Sequence, residues 1–314
     1  MEYLYYYAYL VCFAICGITK IRKLAFFSYV IGVIFLGVCN YYLISISDLE
    51  WYRALYANVN TSSVWILIQE NDFEIGFFTA ILFEKNLLGL GLHSVIVLLL
   101  LMPLLFSSFR KNLDGISLLL IAPGSFLLFN NVIRQGFSEF LILWGILSNS
   151  KLVLLSSFSF HRFSIVIVAV TIFSKKYYHV VLLGVGSVCF ALVLKDYLSD
   201  QTLQNYAKLN FSITSLYFKI LIFSIPLFVH VWLFQSKSRD ALILYLSMLV
   251  VVHALLVISG RMSERAVFYI LPVLIAYLYR DNTSVSFRVI LVGVYLSLSL
   301  MAPLLSSHSM FFLE

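Results

Sequence analysis

Charged residues are scarce in this sequence. Only 11% of its 314 residues are Asp, Glu, Lys or Arg, whereas 62% are hydrophobic. Soluble domains carry about 25% charged and about 45–50% apolar residues, so this composition excludes an ordinary soluble fold. Apolar runs of about 20 residues recur along the chain, and they do not alternate with polar residues as barrel strands would. The sequence therefore predicts an all-α, polytopic integral membrane protein.

Several other features are absent. No stretch is polar enough for a separate soluble domain and no internal repeat is visible, so we interpret residues 1–314 as a single membrane domain. The amino-terminal MEYLYYYAYLVCFAICGIT lacks a basic region and a small-residue cleavage site, and it is read as the first span. The four cysteines lack metal-ligand spacing and are interpreted as packing residues.

The apolar runs predict about ten to twelve transmembrane helices. The clearest cover 3–19, 24–45, 90–108, 115–130, 137–149, 177–194, 216–234, 241–259, 266–279 and 289–305. Residues 73–88 are interrupted by Glu84 and Lys85, which favours a partly inserted or interfacial helix. Residues 152–174 form either one span or two short helices that meet at His161 and Arg162.

The basic turns decide between these two arrangements. The net charge of +6 comes from short basic turns, as expected of cytoplasmic loops, and we expect no nucleic-acid partner. All of these turns face the cytoplasm only if residues 152–174 cross up and back as a hairpin. Both termini and the longer polar loops at 46–72 and 195–215 then face outward.

A second group of arginines is not explained by this topology. Arg134, Arg162, Arg261 and Arg265 fall at the outer ends of helices, against the usual bias. Arg261 and Arg265 are four residues apart and share a helix face, which Tyr269 extends by another turn. A guanidinium is a permanently charged, planar fork that suits phosphate oxygens. The group therefore predicts a pyrophosphate or lipid-phosphate site.

Structural roles remain open for the same arginines. In one alternative Arg134 pairs with Glu139, and in another Arg261 pairs with Glu264 on its own helix. The remaining two arginines then reach lipid headgroups with their long side chains.

The predicted outer loop near 46–74 carries charge of the opposite sign. Its carboxylates and aromatic residues are interleaved: Asp48, Glu50, Trp51, Tyr52, Tyr56, Glu70, Asp72 and Glu74. Aromatic rings stack on the apolar faces of sugars and carboxylates accept hydrogen bonds from hydroxyls, so this pattern indicates a sugar-binding surface. A carboxylate there is also a candidate general base. The alternative is a solvated acidic loop.

Five stretches follow one another in an order that resembles a known family. They are Asp48 to Tyr52, FEIGFF at 73–78, VIRQGFSEF at 132–140, SFHRFS at 159–164 and RMSERAVFY at 261–269. Together they resemble the EpsG/Wzy-type polysaccharide polymerases, multi-spanning proteins that extend O-antigens and exopolysaccharides. The resemblance covers about residues 40–275 and implies a GT-C type glycosyltransferase membrane fold.

The resemblance implies an inverting, integral-membrane glycosyltransferase. A growing glycan on undecaprenyl pyrophosphate is transferred to a lipid-linked repeat unit, and undecaprenyl pyrophosphate is released. The protein then lies in a bacterial inner (cytoplasmic) membrane, with its active site facing the periplasm or the cell exterior. Its partners are the two lipid-linked substrates, membrane lipids, a chain-length-regulating co-polymerase and a flippase.

The same resemblance and the two residue patterns assign roles to particular side chains. Pyrophosphate binding falls on Arg134, Gln135, Arg261 and Arg265, catalysis on His161, Asp48 or Glu74, and sugar binding on Trp51, Tyr52 and Tyr269. No carboxylate or histidine cluster has metal-ligand spacing, and arginines can neutralise the leaving group. We therefore expect catalysis without a metal or other cofactor.

Two other functions stay open on the sequence. A flippase for lipid-linked oligosaccharide also needs arginines for pyrophosphate, but such transporters often have repeated halves, and none is visible here. An O-antigen ligase uses the same donor with lipid A as its acceptor. It is expected to carry a large outer loop late in the chain, whereas residues 195–215 are a modest one.

Overall fold

The computed structural model describes residues 2–42, 47–59, 75–123, 125–130, 132–161, 164–173, 212–234, 239–256, 259–281 and 285–305. Every regular element in these ranges is a helix, and none of the described residues lies in a strand. The all-α prediction is therefore confirmed for this part of the chain.

The described helices are numbered here in chain order. The first are α1 Glu2–Ile18, α2 Arg22–Tyr42, α3 Ser47–Asn58, α4 Ile75–Leu87 and α5 Leu92–Leu101. A 3-10 turn at Met102–Leu105 leads to α6 Ser107–Arg110, α7 Leu113–Ile121, α8 Ser125–Asn130 and α9 Ile133–Leu147. Next come α10 Lys151–Ser156, a 3-10 turn at Ser157–Ser159 and α11 Ser164–Phe173. The later helices are α12 Ile213–Phe223, α13 Ile225–Phe234, α14 Arg239–Leu256, α15 Gly260–Phe268, α16 Ile270–Asp281 and α17 Val285–Leu305.

Two described helical segments are long and apolar enough to cross a membrane. One is α2, and the other is Ile213–His230, in which α12 runs into α13. Together, α4 and the segment Leu92–Leu105 qualify as a third, although they meet at 109°. Further apolar helices have only 10–17 residues, short of the roughly 20 that span a bilayer. The described residues thus contain two or three candidate spans, fewer than the sequence predicts.

Proline explains why two of the predicted spans are interrupted. The run at 115–130 divides because Ala122, which precedes Pro123, is extended with ψ of 146° and ends α7. The run at 90–108 divides where Pro103 enters the 3-10 turn after α5. Each interruption shortens a helix below membrane length.

The region 152–174 contains a break where the sequence predicts one. Helix α10 and its 3-10 turn end at Ser159, α11 begins at Ser164, and residues 162–163 lie outside the described residues. The predicted crossing of the membrane up and back concerns residues that are partly outside those described, and it stays a prediction.

The chain divides into two compact units. The first contains residues 1–164 and 283–314, and the second contains residues 165–282. In the first unit α1 packs against α2, α7 and α17. Phenols form hydrogen bonds between helices of this unit: Tyr6 of α1 donates to the Ser299 carbonyl of α17 at 2.9 Å, and Tyr29 of α2 donates to the Leu100 carbonyl of α5 at 3.0 Å. These bonds satisfy buried carbonyls and phenols together, as an apolar interior requires.

An ion pair joins α17 to α7 within the first unit. The Arg288 guanidinium lies 2.6 Å from the Asp114 carboxylate, and the two side chains are 11% and 20% exposed. The partners are 174 residues apart in the sequence. The pair gives Arg288 a specific packing role within the first unit.

Glycines allow α9 to approach its neighbours closely. A Cβ at Gly136 would lie 2.9 Å from the Leu128 carbonyl oxygen, and one at Gly145 would lie 2.7 Å from the Leu154 amide nitrogen. Both contacts are to backbone atoms, which cannot move aside as a flexible side chain can. Helix α9, which carries Arg134, is therefore held against α8 and α10.

The second unit is built around α14, α15 and α16, which pack on one another, and α12 contacts α15. The Ser263 hydroxyl donates to the Val252 carbonyl at 2.7 Å and ties α15 to α14. The Lys219 ammonium lies 5.4 Å from the centre of the Phe268 ring, which also packs against Phe223 at 5.3 Å. These contacts fix the helix that carries the late arginine motif.

Candidate functional site

Three of the predicted site residues meet where α3 approaches the first turn of α9. The Arg134 Nε donates a hydrogen bond to the Tyr52 hydroxyl at 3.1 Å. Its guanidinium carbon lies 4.9 Å from the centre of the Trp51 ring and 5.6 Å from that of Tyr52. We name these three residues the Arg134 cluster. A cation at this distance from an aromatic face is attracted by the ring quadrupole.

The apolar spacing of α3 explains the cluster. Leu49, Tyr52, Leu55 and Val59 recur at intervals of three or four residues, and all are buried. Trp51 lies at the edge of this face and is 40% exposed. The cluster therefore has a buried floor at Tyr52 and an accessible side at Trp51.

Four of the five stretches that carry the family resemblance come together in the first unit. The Tyr52 ring packs edge-on against Phe77, with centroids 5.3 Å apart. The Phe137 and Phe160 ring centroids are 6.1 Å apart. A Cβ at Gly76 would lie 2.9 Å from the Phe160 ring, so FEIGFF touches SFHRFS directly. The fifth stretch, RMSERAVFY, belongs to the second unit.

His161 follows Phe160 at the end of this contact and is partly exposed. Its amide donates to the Ser157 carbonyl at 3.2 Å, and its carbonyl accepts from the Ser164 amide at 3.0 Å. These backbone bonds close the turn between α10 and α11. They hold His161 beside the predicted stretches, and its role as a general base stays a prediction.

Gln135 differs from its neighbour Arg134 in its surroundings. It is 1% exposed, and its amide donates to Glu139 Oε1 at 2.9 Å, one turn further along α9. Glu139 is equally buried, and its Oε2 has no hydrogen-bond partner. Glu139 is therefore held by Gln135, where the sequence offered a pair with Arg134. A ligand role for Gln135 remains a prediction, and it requires a ligand to reach a buried amide.

The late arginine motif occupies α15 of the second unit. Arg265 is partly buried in the last turn of that helix. Tyr269, the first residue after the end of α15, is fully buried. Arg261 lies in the first turn, and its side chain is outside the described atoms. The burial of Tyr269 favours packing for this ring, while Trp51 has the exposure that stacking on a sugar needs.

Besides Arg261, three predicted residues fall where the structure gives no side chain. Asp48 lies in the first turn of α3, but its side chain is outside the described atoms. Glu74 and Arg162 are outside the described residues altogether. Their roles stay as the sequence predicts them.

The sequence missed the role of Glu84. Its fully buried carboxylate accepts hydrogen bonds from the Tyr56 hydroxyl, the Ser94 hydroxyl and the Leu90 amide. Burial, together with this carboxylate, raises the pKa of Tyr56 to about 12, so the phenol stays protonated as a donor. Glu84 thus fastens α3 to the turn between α4 and α5.

Lys85 completes the attachment. Its ammonium donates to the carbonyls of Tyr56, Ala57 and Val59 at 3.0, 2.8 and 2.8 Å. These carbonyls lie at the carboxyl end of α3, where a helix leaves acceptors unpaired and a cation is favoured. We call the group Tyr56, Glu84, Lys85 and Ser94 the α3 clasp. The Glu-Lys pair had been interpreted only as an interruption of an amphipathic segment.

No group of three or more His, Cys, Asp or Glu side chains is arranged to hold a metal ion within the described ranges. The metal-independent chemistry remains a prediction of the sequence.

Comparison with known proteins adds no relative to this picture. No family model matches the chain, no curated protein matches it, and no solved structure matches it. The candidate site therefore rests on the geometry of the first unit and on the residues of the five stretches.

Proposed function

We propose that this protein is a membrane glycosyltransferase of the EpsG/Wzy type that extends a lipid-linked polysaccharide. The observation that carries the proposal is the Arg134 cluster, in which a guanidinium lies over two aromatic rings from another helix. A phosphate-binding cation beside an exposed tryptophan suits a substrate that is a pyrophosphate at one end and a sugar at the other.

The proposed reaction joins two lipid-linked glycans. A hydroxyl of the acceptor sugar attacks the anomeric carbon of the donor, and the bond from that carbon to the pyrophosphate oxygen breaks. The hydroxyl proton passes to His161, Asp48 or Glu74, and the electron pair leaves with undecaprenyl pyrophosphate. Arg134 stabilises the negative charge that develops on the leaving oxygen. Pyrophosphate binding by Arg261 and Arg265 remains a prediction of the family resemblance.

The membrane fold and the cellular location are part of the same proposal. The family resemblance implies ten to twelve helices in a GT-C-like arrangement, in a bacterial inner membrane with the site facing outward. The two or three candidate spans among the described residues support the coarser part of this proposal, an all-α membrane protein. Bent and interrupted helices occur within membranes where they line a cavity, since their backbone groups need partners there.

The decisive variant is Arg134→Lys, which keeps the charge but loses the planar fork. We expect the protein to remain in the membrane at normal abundance while long glycan chains largely disappear. Loss of a charge-assisted contact of this kind costs on the order of 2–4 kcal/mol of transition-state stabilisation, or a roughly 30- to 1000-fold slower rate.

A matched substitution controls this experiment. Arg22 is exposed at the start of α2, so Arg22→Lys changes the same chemistry away from the cluster and should leave the glycan ladder normal. Glycan ladders and membrane protein levels are measured side by side in a strain that lacks the chromosomal gene. A normal ladder from Arg134→Lys at normal abundance would contradict the proposal and leave Arg134 with only its packing contacts to Trp51 and Tyr52.

A flippase is the second candidate, and the bend of 109° between α4 and the segment Leu92–Leu105 favours it. Broken helices form substrate sites in many transporters. Purified protein in liposomes with lipid-linked repeat units distinguishes the two. A polymerase lengthens the glycan without energy input, whereas a flippase moves it across the bilayer unchanged.

A further inference from the structure

Four exposed lysines lie in three turns of the first unit. Lys20 and Lys23 flank the turn between α1 and α2. Lys111 lies in the turn between α6 and α7, and Lys151 begins α10. None of the four ammonium groups has a hydrogen-bond or ion-pair partner among the residues that the structure describes. Their charges therefore remain uncompensated within this part of the chain.

Packing brings the first two turns together. The Cys16 thiol, one turn before Lys20, donates to the Leu113 carbonyl at 3.7 Å. A Cβ at Gly17 would lie 3.8 Å from the Asp114 carbonyl oxygen. These contacts join the end of α1 to the start of α7, just after the turn between α6 and α7. The two turns therefore lie at the same end of the first unit.

The third turn lies at this end as well. The Trp144 ring, near the end of α9, packs edge-on against the Phe109 ring of α6, with centroids 5.3 Å apart. The Ser150 amide donates to the Gly145 carbonyl at 2.9 Å, so the chain turns back here into α10. We name the four side chains at this end the lysine rim: Lys20, Lys23, Lys111 and Lys151.

Exposed apolar side chains border each of these turns, and each of them is at least 44% exposed. They are Leu24 and Phe27 on α2, Leu105 and Phe106 before α6, and Leu152 and Leu155 on α10. A lysine can lay its apolar stem along such a surface while its ammonium group stays in a polar layer. Cations beside exposed apolar surface suit the headgroup layer of a bilayer, where phosphates adjoin acyl chains.

The Arg134 cluster lies toward the opposite end of α2. The Asn40 amide, near the end of α2, donates at 3.4 Å to the carbonyl of Asn130, which ends α8 just before the helix that carries Arg134. Helix α2 begins at the lysine rim and has 21 residues. At 1.5 Å per residue it spans about 30 Å, the thickness of the hydrocarbon layer. Tyr41 and Tyr42 are exposed at its far end, as interfacial aromatic residues are.

We propose that the lysine rim binds the headgroups of anionic phospholipids in one leaflet and thereby holds the Arg134 cluster at the opposite leaflet. The charge of the rim complements an anionic surface, and the apolar side chains beside it place this surface in a bilayer. Packing joins turns that are far apart in the sequence into one binding surface. The inference concerns the contact between protein and lipid, and it does not depend on the glycosyltransferase proposal.

The first test counts the lipids bound to the purified full-length protein. Protein in a non-ionic detergent is mixed with equal amounts of phosphatidylglycerol and phosphatidylcholine, and native mass spectrometry measures the bound lipids. We expect bound phosphatidylglycerol to exceed phosphatidylcholine at least about fivefold, the factor expected of one lysine at an anionic surface. Equal binding of the two lipids would overturn the proposal. So would displacement of phosphatidylglycerol by inorganic phosphate beyond the effect of sodium chloride at the same ionic strength, since it would indicate a site for free phosphate.

Variants locate the binding surface. Replacement of all four rim lysines by Gln should bring the lipid ratio close to one, whereas replacement of the same four by Arg keeps the charge and should preserve the ratio. Arg22 and Arg110 stay unchanged in both proteins. If the Gln protein does not accumulate, Lys20→Gln with Lys23→Gln and Lys111→Gln with Lys151→Gln are tested as pairs, and each pair should lower the ratio at least about twofold. A folded Gln variant or pair that keeps the wild-type ratio would overturn the proposal.

Amine labelling tests whether the rim faces a single leaflet. A membrane-impermeant amine reagent is applied to right-side-out and to inverted membrane vesicles, and peptide mass spectrometry measures modification at each rim lysine. We expect all four to be modified from the same side of the membrane. Modification of one rim lysine from the side opposite to the others would overturn the proposal. A normal glycan ladder in a deletion strain would reject the polymerase proposal and leave these lipid-binding results intact.

Discussion

Arg134 donates a hydrogen bond from Nε to the Tyr52 hydroxyl at 3.1 Å, across 82 residues of sequence. The same guanidinium lies 4.9 Å from the centre of the Trp51 ring. Arg53, which follows Tyr52 in α3, lines a cavity of about 500 Å³ in the first unit. The orientation of α3 therefore controls both the Arg134 cluster and this cavity.

Tyr52→Phe separates the hydrogen bond from the ring. The variant keeps the packing against Phe77 and the cation–ring contact but leaves Arg134 Nε without the phenol. A typical hydrogen bond contributes about 0.5–1.5 kcal/mol, so we expect glycan extension to slow about two- to twelve-fold. Initial rates with purified protein and lipid-linked repeat units measure this. Trp51→Ala, which removes the exposed ring, should have the larger effect if the ring stacks on a sugar, and an equal or smaller effect would contradict that role.

Glu84→Gln tests the α3 clasp. The amide side chain retains an acceptor but brings two N–H groups toward donors, so at least one buried group loses its partner. We expect the protein to lose about 1–3 kcal/mol of stability, measured by thermal unfolding in detergent with and without lipid. Glu50→Gln makes the same change on the exposed face of α3 and serves as the control. Equal melting of the two variants would show that the clasp contributes nothing to stability.

The ion pair between Arg288 and Asp114 predicts energetic coupling between α17 and α7. Arg288→Gln and Asp114→Asn each leave one charge in a poorly hydrated site. Removal of one partner of a buried pair costs about 3–5 kcal/mol, and the 11% and 20% exposure of these side chains reduces this to about 2–4 kcal/mol. The double variant should be more stable than the sum of the single losses predicts, by at least about 1 kcal/mol. Strict additivity of the three unfolding free energies would argue against the pair.

Gly145→Ala tests the close contact of α9 with α10. A methyl group there meets the Leu154 backbone at 2.7 Å, so the helices must separate, at a cost of about 1–3 kcal/mol. Gly293→Ala is the matched control, because nothing lies within 4 Å of its Cβ position. That variant should be neutral or slightly stabilising by helix propensity. The two are compared by thermal unfolding, and equal midpoints would rule out the close contact.

Metal removal separates arginine-based from metal-based charge stabilisation. We expect the rate of glycan extension by the purified protein to be the same in excess EDTA as in buffer, because guanidinium groups neutralise the leaving pyrophosphate. Loss of activity in EDTA that magnesium or manganese restores would contradict this prediction.

Much of the helical fold follows from the sequence. Composition and the absence of alternating patterns are enough for the all-α class, because they depend on residue type and on spacing within a few residues. The interruption at 122–123 and the contact between Gln135 and Glu139 also depend on nearby residues. The sequence analysis nevertheless predicted an unbroken span at 115–130 and offered Arg134 as the partner of Glu139. The sequence also indicated Trp51 and Tyr52 for sugar binding and Arg134 for phosphate binding, but it did not indicate that these side chains touch.

Tertiary structure alone decided which distant residues are partners. Tyr56 meets Glu84, Tyr52 meets Arg134, and Arg288 meets Asp114 across 28, 82 and 174 residues. No local pattern specifies these pairs, because each depends on how helices pack and on which side of a bend a side chain falls. In the sequence, Glu84 and Lys85 therefore look like an interruption in an apolar run. In the structure, they belong to the α3 clasp. The sequence by itself determined that this is a helical protein with membrane-length apolar segments. Packing decided where its charged side chains lie, because a charge in an apolar interior is stable only beside the partner that the fold brings to it.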